Sequence, residues 1–344
     1  MTTDATVEGA AAETLPLAPA TRRGGSLTRW VLVRIGLSAL ILVGVTVLVF
    51  LATQALPGDP AQQILGHAAA PDQLAALRRE LGLDHSLVHQ YLHWIGGLLH
   101  GDLGVSLSTR DPVSSIVRDR AQNSLALVVL SAGIAIPLSV LIGTFAAVRR
   151  DRVFDHTSQI LLLVLTALPE FVIGLALLLL LSTNVVKWLP AVALIPPGES
   201  AFAHPRELAL PVLTLVLAVV PYLARLQRAA LLDVLGSEYV QMARLKGIPE
   251  HIVIRRHALR NALVPLIQGS ALTLIYLTGG IVTVEYLFAY PGLGSALTSA
   301  VQARDMPVVQ GIVLLFAGAY VFFNLAADLL TVLVSPRLRT GGRR

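Results

Sequence analysis

The sequence predicts an all-α polytopic membrane protein with six transmembrane helices and a long extracytoplasmic segment between the first and second. Three observations carry this prediction. The chain of 344 residues is 55% hydrophobic and only 14% charged, with a mean hydropathy of +0.72. A soluble domain carries about 25% charged residues, so the bilayer must act as the solvent here. Six stretches match the ~20 apolar residues needed to cross a bilayer: about 31–53, 122–148, 157–181, 208–228, 262–284 and 308–334. Lys and Arg also segregate. If both termini lie on one side, 18 of the 26 basic residues fall on that side, which makes it the cytoplasmic one.

Each element follows in chain order. Residues 1–29 are rich in Ala, Thr, Glu and Pro without periodicity and read as a disordered cytoplasmic tail. The first span, 30–53, has an apolar run longer than the ~7–15 residues of a signal peptide core, so it is expected to stay as an anchor. Segment 54–121 is too long for a turn between helices. Leu74, Leu77 and Leu81 share a helical face, and apolar clusters surround Tyr91 and Trp94. A small folded cap over the outer mouth is expected. Residues 122–334 hold the remaining five spans. The span at 208–228 is the least secure, because Pro211 and Pro221 interrupt it. Residues 335–344 form a basic cytoplasmic tail.

Catalytic constellations are absent from the sequence. There is no His-Glu-x-x-His, no phosphate-binding Gly-x-x-x-x-Gly-Lys-Ser/Thr and no Gly-x-Ser-x-Gly elbow. The chain has no cysteine, which excludes disulfides and thiolate chemistry. His85, His89 and His93 have helical spacing, but only Asp84 accompanies them. A solvated helix face is expected there, with no metal and no cofactor. The net charge of +5 does not point to nucleic acid, since the basic residues lie beside apolar spans.

Charges within spans are few, and each costs on the order of 2.5–3.5 kcal/mol at the bilayer centre. Glu170 follows Pro169 near the middle of the third span. It either lines a pathway or pairs with a backbone N–H freed at a proline kink. Asp328 is expected to pair with a basic residue at the inner face, and Glu285 ends the fifth span at the outer face. The fifth span carries Gly269, Thr273, Tyr276, Gly280 and Thr283 at steps of four and three, a single helical face. Close packing through small residues is one reading. A translocation path is preferred, because Thr and Tyr add hydrogen-bonding capacity.

The loop 229–261 is the most informative stretch. Leu235, Tyr239 and Met242 fall on one helical face, with Glu238, Arg244 and Lys246 polar. This describes a short amphipathic helix at the membrane surface. Gly247 stops it, and Pro249 opens a second, basic helix leading into the fifth span. Resting on anionic lipid would explain the charge but not the break or the Tyr and Met face.

At this loop the sequence resembles the permease subunits of ATP-binding-cassette importers, in particular the dipeptide/oligopeptide/nickel permease family. The broad signature, Glu-Ala-Ala followed three residues later by Gly, is met by Ala243 and Gly247, with Gln241 and Met242 in its first two places. His-Ala-Leu-Arg-Asn-Ala-Leu-Val-Pro at 257–265 matches the peptide-permease form closely. Support comes from Leu-Pro-Gly-Asp-Pro at 56–60, Leu-Gly-Leu-Asp at 81–84, Gln-Tyr at 90–91, Gly-Asp-Leu-Gly at 101–104 and Asn-Ser-Leu at 123–125. Glu-Tyr-Leu-Phe-Ala-Tyr-Pro-Gly-Leu-Gly at 285–294 and Arg-Asp-Met-Pro-Val-Val-Gln-Gly at 304–311 complete it. Ser-Pro-Arg at 335–337 replaces the usual Asp-Pro-Arg. The resemblance covers roughly 28–338.

The resemblance implies the type I importer permease fold in a bacterial inner membrane, half of a pore for peptides or a related small solute. The implied partners are a second homologous permease, two cytoplasmic ATPases that carry the ATP chemistry, and an extracytoplasmic solute-binding protein received at the outer cap. It places ATPase coupling on Tyr239, Gln241, Met242, Ala243, Arg244 and Gly247, with the Tyr239, Met242 and Ala243 face entering a groove on the ATPase. Glu170, Thr273, Tyr276, Gly280 and Thr283 are the candidates for the path. An ion-coupled secondary transporter is the alternative, which would require charged or broken helices near the midplane. An intramembrane enzyme would require a reactive pair within the spans.

Overall fold

The first helix, α1 (Leu27–Ala55), is 29 residues long, about 43 Å at 1.5 Å per residue. It exceeds the ~30 Å hydrocarbon core. The computed structural model describes residues 27–55, 60–66, 69–80, 82–183, 187–196 and 198–334. The expected terminal tails, up to residue 26 and from 335, lie outside the described residues, as does most of the 56–60 motif. Most of the apolar surface of α1 faces outward. Among its described side chains the buried ones are Thr46, Val49, Phe50 and Thr53, a single stripe at helical spacing.

Three short helices follow: α2 (Pro60–Leu65), α3 (Pro71–Glu80) and α4 (Leu87–Leu99). Ser86 caps α4 by accepting from the His89 N–H. Tyr91 and Thr46 share a hydrogen bond of 2.8 Å between hydroxyls. Phe50 meets the Tyr91 ring edge-on at 5.4 Å and stacks near Trp94 at 6.1 Å. The segment expected as a cap is therefore helical, and α4 is seated on the C-terminal half of α1. Among the described residues no group of three or more His, Cys, Asp or Glu could hold a metal ion.

The central helices are α5 (Val113–Val148) and α8 (Pro205–Leu235). Small residues on α5, including Ser131, Ala135, Ser139 and Gly143, are buried. A Cβ at Gly143 would stand 2.5 Å from the Ala224 carbonyl oxygen, so these backbones touch at that crossing. Between them run α6 (Val153–Ala167) and α7 (Glu170–Leu178), continued by a π-helical turn at Leu179–Thr183. The third span, expected as one helix over 157–181, is bent by 105°. Leu168 before Pro169 is extended, with ψ 130°, because the proline ring excludes the α conformation from its predecessor.

Helix α8 corrects the opposite expectation. Pro211 and Pro221 lie within it without a break, and both are buried. After it come α9 (Glu238–Leu245), the single turn α10 (Glu250–Ile252), a π-helical turn and α11 (Leu259–Leu287). The chain closes with α12 (Leu293–Ala303) and α13 (Met306–Val334). Five described helices are long and apolar enough to cross a membrane, or six if the bent pair is one span. α1 is tied to α13 at both ends: Arg34 pairs with Asp328 at 3.1 Å, and Gln310 donates to Thr53 at 2.8 Å. The expected basic partner of Asp328 is thus Arg34.

Candidate functional site

The loop 229–261 builds its own geometry. Helix α9 ends at Gly247, whose φ is +75°, a left-handed conformation glycine adopts without a Cβ penalty. The Gly247 N–H donates to the Arg244 carbonyl at 2.9 Å, and the Ile248 N–H donates to the Ala243 carbonyl at 3.3 Å. This is a Schellman motif, with Ile248 supplying the apolar contact that usually accompanies it. Across the turn, Arg244 grips the Glu250 carboxylate with bonds of 2.6 and 3.1 Å. The Tyr239 hydroxyl accepts from Asn261 at 2.7 Å, which hangs α9 from the start of α11.

α9 carries two apolar stripes, and the structure separates them. Val240 and Ala243 are buried on Val253, with Val234, Leu235 and Ile248 alongside. Tyr239, Met242 and Leu245 point outward, at 46%, 54% and 82% exposure. Ala243, expected on the outward face, therefore serves the loop's internal packing, as does Leu235. Leu245 takes its place outside; its spacing of three from Met242 was the available signal. Gln241 and Arg244 are exposed beside this face.

The stripe on α11 also divides. A Cβ at Gly269 would stand 2.4 Å from Leu226 of α8, and Thr273 is buried with its hydroxyl on the Gly269 carbonyl. This half packs helix on helix. Tyr276, Gly280 and Thr283 instead line a cavity of about 680 Å³ together with Glu170. Glu170 is the first residue of α7, placed there by the Pro169 break. Its Oε2 accepts from the Tyr276 hydroxyl at 2.8 Å. Gly280 supplies the room, since a Cβ there would be 2.7 Å from that oxygen. Phe171, Phe316 and Tyr320 also line the cavity, and sequence reading did not single them out.

Three buried carboxylates fix the frame around these sites. Glu285 is fully buried. It accepts from Ser124 at 2.5 Å and from the Gly294 and Ser295 N–H groups at 2.6 and 3.3 Å. It thereby caps α12 and ties it to α5. Asp305, just after α12, accepts from the Ser106 and Ser108 hydroxyls and the Leu107 and Ser108 N–H groups. Burial pushes its carboxyl up, but these bonds prevail and hold it below the ordinary carboxylate value. Near the C-terminal end of α8, Arg228 holds Asp155 through two bonds of 2.7 and 2.6 Å.

Residues 139–340 match the family described as binding-protein-dependent transport system inner membrane component. Residues 27–128 match the N-terminal region of such membrane components. A putative peptide transport system permease protein of Brucella abortus (strain 2308) is 37% identical over 313 residues, 91% of this chain and 99% of that one. Its counterpart in Brucella suis biovar 1 (strain 1330) is 36% identical over 312 residues, with 91% and 99% covered. The glutathione transport system permease protein GsiC of Escherichia coli (strain K12) is 37% identical over 295 residues, 86% of this chain and 94% of the relative.

Proposed function

The chain belongs to the inner-membrane components of binding-protein-dependent transport systems, and from that premise we propose how it is oriented, what it carries and how it is driven. It is a permease subunit of an ATP-binding-cassette importer, a multi-pass bacterial inner-membrane protein. ATP hydrolysis belongs to partner subunits, and the similarity gives no support to ion-coupled transport. The proposed cargo is peptide, supported by relatives named for peptide and glutathione transport. The proposed assembly pairs this chain with a second, homologous permease to form one pore. Two cytoplasmic ATPases and an extracytoplasmic binding protein complete it. Both termini and the loop 229–261 face the cytoplasm, supported by the basic asymmetry. The outer helices α2–α4 receive the binding protein.

The observation that carries the drive mechanism is the exposed face of Tyr239, Met242 and Leu245 on α9. A rigid helix offering apolar side chains beside Arg244 and Gln241 suits a groove on another protein. Its attachment to α11 through Tyr239 and Asn261 would carry motion from that groove into the spans. Met242→Asp tests this. The protein should insert and retain its partner permease, but lose both ATPase recovery on pull-down and solute uptake. Unchanged recovery and uptake would leave α9 as a helix resting on lipid.

A further inference from the structure

We propose that Glu170 and the aromatic side chains around it form a subsite for a cationic group on the transported solute, an ammonium or a guanidinium. This rests on the reading of the cavity as part of the path. Of the twelve described residues that line it, Glu170 alone is charged. The protein satisfies that carboxylate sparingly. Among the described residues its one hydrogen bond is from Tyr276, to Oε2, and it joins no salt bridge. A carboxylate placed within a membrane span at that cost, with one oxygen left open to a cavity, is complementary to a mobile positive charge.

The second observation is independent of the first. Phe171, Tyr276, Phe316 and Tyr320 share this cavity with Glu170. Aromatic faces attract ammonium and guanidinium ions through the ring quadrupole. An anionic solute would meet one carboxylate and aromatic walls, with no donor of positive charge. The construction also depends on particular backbone features. Pro169 places Glu170 at the start of α7, and Gly280 leaves the space its carboxylate occupies. The cation can be a peptide's terminal ammonium or a basic side chain; both present the same group.

The chain has no cysteine, so Thr283→Cys places a single thiol in this subunit on the cavity wall. In the assembled importer in proteoliposomes, its labelling is timed with a methanethiosulfonate carrying trimethylammonium and with one carrying sulfonate. The label is read on this subunit after separation. The cation-to-anion rate ratio should fall on the order of tenfold when Glu170→Gln, an isosteric change, is added. Labelling with a ratio that Glu170→Gln leaves unchanged overturns the subsite and leaves the path standing. A thiol unreactive from both faces, with and without ATP, overturns the path and the subsite with it. Slowing by glycylglycine assigns the cation to a terminal ammonium, and slowing by N-acetyllysine amide assigns it to a side chain.

Discussion

Removing the Glu285 carboxylate should loosen the packing of α12 more than any exposed substitution. In Glu285→Ala, the Gly294 and Ser295 N–H groups lose their acceptor; Glu285 is fully buried, Gly294 buried and Ser295 half-buried. Each buried donor left without a partner costs about 1–3 kcal/mol, and the vacated side-chain volume adds to this. The total is about 3–6 kcal/mol. At roughly 2 °C per kcal/mol for a chain of this size, the melting midpoint in detergent should fall by about 6–12 °C. Gly292 supplies a cross-check. A Cβ there would lie 2.0 Å from Glu285 Oε1, so Gly292→Ala should cost about 1–3 kcal/mol by overpacking. In the Glu285→Ala background that collision is gone, and the two changes should be non-additive by about 1 kcal/mol or more. A Glu285→Ala protein that melts within about 2 °C of the parent, or two strictly additive changes, would refute this account of α12.

Gly247→Val should separate assembly from coupling. A Cβ there meets nothing within 4 Å, so the main cost is the left-handed backbone, about 1–2 kcal/mol. Insertion and permease pairing should persist while ATPase recovery and uptake fall together, and Gly247→Asn should be milder. Arg244→Ala, which breaks an exposed ion pair, should shift thermal stability by less than about 1 kcal/mol. Asp305 sets an acid limit. Its folded carboxyl is held below the ordinary value, so its contribution is complete above ~3.9, the unfolded value, and is lost as pH falls through the lower folded one. Thermal melts of Asp305→Asn against the parent should show a flatter acid limb below about pH 4, and identical limbs would remove Asp305 from that role.

What could be read in the sequence divides by range. Apolar length located α1, α5, α8, α11 and α13, because insertion depends on local hydropathy. Their ends were less legible. α5 begins at Val113, nine residues before the expected start, since Arg118, Asp119 and Arg120 lower the hydropathy of a helix that continues outside the apolar band. Pro211 and Pro221 suggested interruption, yet α8 is continuous within a surround of α5, α7 and α11. Pro169 announced a kink, but local sequence could not give an angle. The short helix α9 offers two apolar stripes of similar merit, and only the tertiary neighbours Val253 and Ile248 determine which is covered. The left-handed Gly247 was legible from its position between a helix end and a proline. The pairings of Ser124 with Glu285 and of Asp155 with Arg228 join residues 161 and 73 positions apart, beyond any local pattern.

The bend between α6 and α7 has a consequence for how the chain is made. The first arm has 15 residues, about 22 Å of helix, and the second is no longer. Neither folded arm alone spans the ~30 Å hydrocarbon core, although together they supply enough apolar chain to cross it. Both arms find their packing surface on α8, the second through Gly174 against Thr214. α8 is synthesised after them. The 105° bend is therefore a late feature of folding: a segment apolar enough to enter the bilayer in one piece takes its angle only once the more enclosed helix that follows is there to seat both arms.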